Sequence, residues 1–563
     1  MNESFGLNTL APYVALGAVG SAALFLGLSK ARARLQLSLA KHRSLAGHPR
    51  MARRIAALLP SYRYDEDQVF AIDGAPPEVV ARRRTAFGSL VERGQARYAK
   101  SLQASAVAAE SLSDLQFVSA YRLPFQFRKL AAQGLKVGSF VQSSSGVTVT
   151  DLDGNVLYDL TGSYGVNLFG NDFYKQCMAE GAALVAELGP VLGAYHPVML
   201  DNLQRLKRVS AMEELSFHMS GTEAVMQAVR LARYHSGRNK LVRFCGSYHG
   251  WWGDVQPGIG NPIHARDTLN LSEMSEATLQ VLRKRRDIAC VLINPLQALH
   301  PNKPAPSDGA IMDSSRKAHF DRAAYTAWLQ ELRKICDERG ICLIFDEVFM
   351  GFRLARGGAQ EYFGVRADLV TYGKTLGGGF PIGVLCGKRA WMRRFREGSP
   401  ADICFARGTF NSHPYVMGAM NRFLHRLEDA DITALYTNVD ATWDARAALM
   451  NSRLQEAGVP VQVAHMSSVW TVMYTKPSSF NWLFQYYLRQ QGVALSWVGT
   501  ARLIWSLNFS DAEFEQVVQC FVLAAQEMQA DGWWWTDGLS SNKLIKRRLL
   551  REMLAAKFRG VGQ

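Results

Sequence analysis

Four short apolar runs, each followed closely by polar residues, set the pattern in the middle of the chain. Leu241-Val-Arg-Phe244, Ile288-Ala-Cys-Val-Leu-Ile293, Ile341-Cys-Leu-Ile-Phe345 and Leu369-Val-Thr-Tyr372 read as β-strands. The run at 341–345 is continuously apolar, as a strand buried on both faces is. Helical segments separate them; the one at about 321–335 spaces Tyr325, Trp328, Leu329 and Leu332 along a single face. Strand, helix, strand repeated in this way predicts an α/β fold with a mostly parallel sheet. Open sheets of that kind bind ligands beyond the carboxyl ends of their strands. All four runs place their polar residues there, which is the strongest argument from pattern alone for one common site.

The flanks have different patterns. Val147 to Asp159 alternates around Asp153-Gly154-Asn155 and predicts a hairpin, and the small-residue loop 161–170 follows it. Beyond residue 395 a second α/β unit is expected, with strands at Ser468–Tyr474 and Ala501–Trp505. Residues 31–135 are basic and alanine-rich, helical in period, with breaks at Pro60 and Pro76-Pro77; they read as a connector.

Both ends suggest a membrane. Leu10 to Leu28 carries no charge and, at ~1.5 Å per residue, is long enough to cross a hydrocarbon core. Lys30, Arg32 and Arg34 come directly after it, so a transmembrane anchor there would leave the rest of the chain in the cytoplasm. A cleaved signal peptide needs its basic residues before the apolar run, and none precede it. A buried helix of the soluble body is the remaining alternative. The tail from Lys543 to Arg559 has Leu550, Met553, Leu554 and Phe558 on one helical face amid lysines and arginines, which suits a helix lying on anionic lipid; a solvated basic tail is the alternative.

Composition narrows the classes. The 563 residues are 48% hydrophobic and 20% charged, a globular composition with room for two or three domains. The formal net charge of +15 collects largely at the two ends, and signatures of DNA or RNA binding are absent. The eight cysteines contain no C-x-x-C pair, so neither a zinc site nor a disulfide framework is expected.

Candidate chemistry lies at the strand ends. Lys374 follows Gly373 at the end of the fourth run, with Gly377 to Gly379 just beyond. A lysine partly desolvated there loses some preference for its charged form, which is what an amine nucleophile needs. The Gly-Lys-Thr triplet copies the end of a phosphate-binding P-loop, but that motif needs a glycine where Asp368 stands. Ser220 and Glu223 form a capping-box pattern, and Gly221 and Thr222 leave the first helical amides uncluttered, a geometry that binds phosphate. Tyr248 follows the first run and can stack on a planar ligand or serve the core. Asp346 and Glu347 follow the third run; a carboxylate in such a mouth needs a cationic partner, or caps the next helix.

Taken together and in order, Ser220-Gly-Thr-Glu-Ala224, Tyr248-His-Gly250, Phe345-Asp-Glu-Val348 with Gly351-Phe-Arg353, Gly373-Lys374, and Gly408-Thr-Phe410 with Pro414 resemble the class III aminotransferases. These are fold-type I enzymes dependent on pyridoxal 5'-phosphate (PLP), and the nearest branch in motif is glutamate-1-semialdehyde aminomutase. The resemblance covers about 137–525. It implies that Lys374 links covalently to the cofactor aldehyde and shuttles a proton. It implies further that Asp346 pairs with the pyridine nitrogen, that Ser220, Gly221 and Thr222 hold the phosphate, and that Tyr248 stacks on the ring. Thr409 would reach the phosphate of a neighbouring subunit, implying a homodimer, and Ser163 and Tyr164 would face substrate. On this reading 1–30 is the transmembrane anchor, 31–136 the helical connector, 137–200 the first segment of a small domain and 201–395 the PLP-binding large domain. Residues 396–540 complete the small domain and 541–563 form the basic tail.

The chain departs from the family in having Asn294-Pro295 where Glu-Pro is usual. The resemblance implies amino transfer from a small-molecule donor to a carbonyl acceptor, with a long-chain or membrane-delivered aldehyde or ketone expected from the two ends. An intramolecular aminomutase uses the same residues, and a non-catalytic membrane scaffold that keeps the fold is the alternative of another class. The intact lysine and aspartate speak against the scaffold.

Overall fold

Seven strands form the sheet that positions the strand-end residues. In this computed structural model the described residues are 11–42, 48–116, 123–256, 260–263, 265–295, 314, 320–496 and 502–558. Ahead of the sheet comes a small meander of β1 (Val141–Ser145), β2 (Thr148–Asp151) and β3 (Val156–Asp159). β2 and β3 pair antiparallel around the expected turn. There Asp151 Oδ1 accepts the N–H groups of Asp153 and Asn155, both at 2.9 Å, and Gly154 takes φ +85°. The strand Val493–Ala494 joins β3 in parallel, so the C-terminal part of the chain closes back onto this meander.

The large sheet comprises β4 (Glu214–His218), β5 (Lys240–Phe244), β6 (Thr268–Leu271), β7 (Ile288–Ile293), β8 (Cys342–Asp346), β9 (Leu369–Gly373) and β10 (Gly383–Gly387). Their order is β4-β10-β9-β8-β7-β5-β6. β10 runs antiparallel to both its neighbours, and every other pairing is parallel. Alternate residues of each central strand go to opposite faces. Leu292, Ile344 and Leu369 join the core under the helix Gly221–Ser236, while Val291, Phe345 and Val370 join the larger core on the other side. Both faces are therefore buried, which is why β7 and β8 carry almost no polar residue before their ends.

A three-stranded antiparallel sheet, Val461–Met466, Val469–Tyr474 and Arg502–Ile504, makes up the C-terminal unit with the helices Val439–Glu456 and Asp511–Ala530. The connector is seated firmly on it. Arg83, in the helix Pro77–Arg97, is fully buried, bridges to Asp73 at 2.7 Å and donates to the carbonyls of Phe70 and Gly532. Its guanidinium also lies 4.7 Å from the Phe480 ring centroid. A buried guanidinium with its donors satisfied in this way fixes the connector to the C-terminal unit.

The expected transmembrane anchor is not found. Among the described residues no helix is long and apolar enough to cross a membrane. Part of the apolar run, Leu10 and the side chains of 11–20 and 23, lies outside the described residues. The helix Ala11–Leu39 does not stop at the apolar boundary but runs on through Lys30, Arg32 and Arg34. Its end docks on the large domain, where buried Ala40 accepts the Ser272 N–H at 2.8 Å. All eight cysteines are free thiols, in line with the absence of any C-x-x-C pair.

Candidate active site

The sheet order sets β9, β8, β7 and β5 side by side, so Lys374, Asp346, Asn294 and the loop Ser247–Gly250 emerge at one edge. Asp346 ends β8 with 3% of its surface exposed. Its Oδ1 accepts from the Val348 N–H at 3.1 Å and the Thr371 hydroxyl at 3.2 Å. Its Oδ2 accepts from His249 Nδ1 at 2.7 Å, and Asn294 Nδ2 donates to its backbone carbonyl at 3.4 Å. His249 is buried as well, and its Nε2 has no hydrogen-bond partner. The adjacent Glu347 turns away and takes over helix capping. It accepts the N–H groups of Ala359 and Gln360, and burial pushes its carboxyl up to about 8.

Lys374 starts a short 3-10 turn with φ +49°. Its Nζ donates to the Tyr164 carbonyl at 2.5 Å and lies 4.7 Å from the Phe349 ring centroid. Burial first, then the Arg502 charge, brings its amine down to about 7; Arg353 adds to the effect and Asp346 opposes it. The donor loop is tightly built. Ser163 and Tyr164 both take positive φ, 44° and 57°, and a Cβ on Gly165 would meet the Phe349 ring at 2.8 Å. The Tyr174 hydroxyl, which accepts the Leu168 N–H at 3.0 Å, bonds to the Thr375 hydroxyl and ties the lysine turn to that loop.

Opposite them the helix Gly221–Ser236 begins. Ser220 is its N-cap and accepts the Glu223 N–H at 3.2 Å. The expected capping box is displaced by one residue, because Glu223 accepts at 2.9 Å from the Met219 N–H, not that of Ser220. The cradle is close-packed. A Cβ on Gly383 would stand 2.0 Å from the Ser220 carbonyl oxygen, one on Gly250 2.5 Å from Thr222 Oγ1, and one on Gly221 2.6 Å from Val348. Glycine at these points lets three chain segments meet at the helix start, where free N–H groups and the helix dipole favour an anion.

The structure thus brings Ser220, Gly221, Thr222, Asp346 and Lys374 to one mouth. Tyr248 is there too, 46% exposed, and burial together with the Asp346 charge raises its hydroxyl. Ser163 and Tyr164 reach the site through the lysine's carbonyl partner, and their side chains are exposed. Thr409 is not joined to this mouth. It is exposed on the loop between the strand Ser399–Ile403 and the helix Pro414–Arg426, and no hydrogen bond links it to the cradle among the described residues. The sequence alone points to no role for His249, Phe349, Arg353 or Arg502. His249 stands inside the Tyr248-His-Gly250 motif, so a buried nitrogen near a strand-end carboxylate was open to inference; Arg502 belongs to a distant strand and carries no such signal.

The family description "Aminotransferase class-III" matches residues 130–525. The chain belongs to the class III aminotransferases. A glutamate-1-semialdehyde 2,1-aminomutase of Methanococcus maripaludis (strain C7 / ATCC BAA-1331) is 31% identical over 353 residues, 60% of this chain and 76% of the relative. Among solved structures, a transaminase with PLP bound has TM-score 0.58 at 26% identity, covering 70% of this chain and 92% of that one. A glutamate-1-semialdehyde aminomutase from Pseudomonas aeruginosa PAO1 has TM-score 0.64 at 19% identity, covering 80% and 99%, and shows the shared fold. This class III member is accordingly a fold-type I enzyme with PLP as cofactor. Its residues fit that group: a glycine-lined helix start for a phosphate, a buried carboxylate with about one acceptor site to spare, and an amine near neutrality.

Proposed function

We propose that the enzyme transfers an amino group from an amino-acid donor to a carbonyl acceptor, with Lys374 as the group that binds the cofactor and carries the proton. One observation carries this reading: the Lys374 amine, at about 7, stands beside Asp346 at the strand mouth. Near neutral pH such an amine is unprotonated in a large fraction of molecules, so it can attack a carbonyl and then accept and return a proton. PLP, when bound, supplies the electron sink that makes the substrate Cα acidic. Asp346, held by His249, Thr371 and the Val348 N–H, keeps a proton on the ring nitrogen. Ser220, Gly221 and Thr222 take the phosphate, Tyr248 stacks on the ring, and Ser163 and Tyr164 face the substrate. The positive charge of Arg502 near Lys374 suits a donor that carries a carboxylate.

The acceptor is read as a long-chain or membrane-delivered aldehyde or ketone met at the cytoplasmic face of a membrane, which the basic residues at both ends support. The active unit is read as a homodimer, with Thr409 serving the cradle of the second copy; its exposed position supports this. An intramolecular 2,1-aminomutase is the second reading, favoured by the 31% identical aminomutase relative. The test is a panel of amino donors scored by loss of the visible absorbance of the bound cofactor, with assay of the released keto product. Free keto acid after the first half-reaction supports transfer; bleaching without release supports the aminomutase. A colourless protein that takes up no PLP overturns both.

A further inference from the structure

The C-terminal helix Asn542–Phe558 is held on the body by one face only. Ile545 is buried and Leu549 packs on the core. Glu552, the only acidic residue in the helix, points inward, where Oε2 accepts both the Tyr62 hydroxyl at 3.0 Å and the Tyr64 hydroxyl at 2.7 Å. Arg548 points inward too, toward the Ile72 carbonyl and the Ser479 hydroxyl. The helix's one negative charge is thereby withdrawn from the surface, and its orientation is fixed.

The outward face follows from helical spacing. Lys543, Arg547, Leu550 and Leu554 lie along one stripe at steps of three and four residues, with Arg551 and Phe558 beside it. Leu550, Leu554 and Phe558 are 51%, 44% and 85% exposed. Lys543, Arg547 and Arg551 make no ion pair among the described residues. The helix Pro49–Leu58 repeats the pattern with Arg50, Met51, Arg54 and Leu58 exposed and no acid in its length. It ends four residues before Tyr62, hence within ~14 Å of the Tyr62 backbone, whose side-chain hydroxyl is one of the two that Glu552 holds. The acidic run that follows Tyr64, Asp65 to Asp67, gives Asp67 to Arg84.

We infer that these two helices form a surface that docks on an anionic phospholipid bilayer. Cations alone would suit any polyanion, but a nucleic-acid backbone would leave three large apolar side chains in water. A lipid surface takes both, the side chains into the acyl boundary and the cations among the headgroups. This deepens the membrane location proposed for the acceptor, and it can fail without touching the amino-transfer reading.

The experiment is sedimentation of the full-chain holoenzyme with phosphatidylcholine vesicles, with and without phosphatidylglycerol. The protein should pellet with the anionic vesicles and be released by salt. The double variant R547E/R551E should bind at least about tenfold more weakly, given roughly fivefold per cation near such a surface. L554Q/F558Q should also weaken binding, while both variants keep the visible cofactor absorbance. If the charge-reversal variant loses that absorbance, K543E/R50E reads the same surface. Indifference to lipid charge, charge-reversal variants that bind like the parent, or displacement from vesicles by duplex nucleic acid at equal charge would each overturn the inference.

Discussion

His249 and Asp346 face each other across 2.7 Å, both almost wholly buried, with the imidazole Nδ1 donating to the carboxylate. With the Val348 N–H and the Thr371 hydroxyl on the other oxygen, Asp346 accepts three hydrogen bonds and keeps about one acceptor site of its four. Replacing Asp346 by Ala removes the group proposed to hold the ring proton, and activity should fall by about 10²–10³-fold or more. His249 acts through the aspartate, so His249→Leu should cost about 10–100-fold in kcat with little change in KM. His249→Asn, whose amide can still donate, should recover much of that loss and return the cofactor's absorption maximum toward the parent's. Equal losses in the Asn and Leu variants would mean that His249 merely fills space.

Lys374 titrates low for a lysine, so the pH dependence of cofactor capture should report it. The rate at which apoenzyme takes up PLP should rise through about pH 7 and level off above it, instead of rising until pH ~10.4, where an unperturbed lysine titrates. The sign for stability follows from the same shift. Between about 7 and ~10.4 the unfolded chain holds the extra proton, so apoenzyme stability gains with rising pH across that window. Lys374→Met should remove this gain, as read from melting temperatures along the pH series.

The cradle makes a prediction about backbone. Gly383→Ala places a methyl 2.0 Å from the Ser220 carbonyl oxygen, and neither backbone segment can retreat without disturbing the β4–β10 pairing. A loss of about 1–3 kcal/mol is expected, together with a marked loss of PLP affinity. Gly88 sits inside the helix Pro77–Arg97, and a Cβ there would meet no heavy atom within 4 Å. Gly88→Ala should leave cofactor affinity unchanged and stabilise by about 0.5–1 kcal/mol.

How much of this was legible in the chain depended on the length and burial of each signal. The run at 341–345 reads as a strand buried on both faces because nothing interrupts its apolarity, and the structure places it, as β8, between β7 and β9. β4 and β10 give no such signal. Glu214-Leu-Ser-Phe-His218 alternates polar residues, and Gly383 to Gly387 is bounded by glycines that look like loop. The convergence of Lys374 with Asp346 could be foreseen because both end neighbouring strands. That of Lys374 with Arg502, 128 positions on, could not, since only the folding of the C-terminal unit against the sheet brings it about. The burial of Arg83 has no sequence signal for a related reason. Arg83 in a basic helix looks like a solvated charge until Asp73 and two carbonyls close around it.

Glu347 should impose a slope opposite to that of Lys374. Its folded value, about 8, lies above the ordinary 4.5. The folded protein thus holds an extra proton between those values. The stabilisation is complete below about 4.5 and is lost as pH rises through about 8. Glu347→Gln keeps an oxygen for the Ala359 N–H and cannot ionise. From mildly acidic to mildly basic pH its melting temperature should therefore decline less than the parent's. Parallel pH curves for the two proteins would show that Glu347 is already ionised in the fold.

Arg83 tests whether the connector is part of the folded body. Removing one partner of a buried, hydrogen-bonded ion pair typically costs about 3–5 kcal/mol, because the other partner is left without its counter-charge. Arg83→Leu removes the donor to Phe70 and Gly532 and leaves Asp73 unpaired; Arg84→Leu removes an exposed contact to Asp67 at 3.5 Å and a guanidinium 5.4 Å from the Phe70 ring centroid. The first should lower the melting temperature sharply and expose residues near 60–100 to limited proteolysis. The second should do neither, since exposed pairs are worth little. If the connector were a free linker, the two variants would melt alike and be cut alike. The lysine pocket offers an internal control: PLP absorbance of the Arg83→Leu variant, measured below its melting temperature, should match the parent's, because no atom of Arg83 reaches the strand mouth.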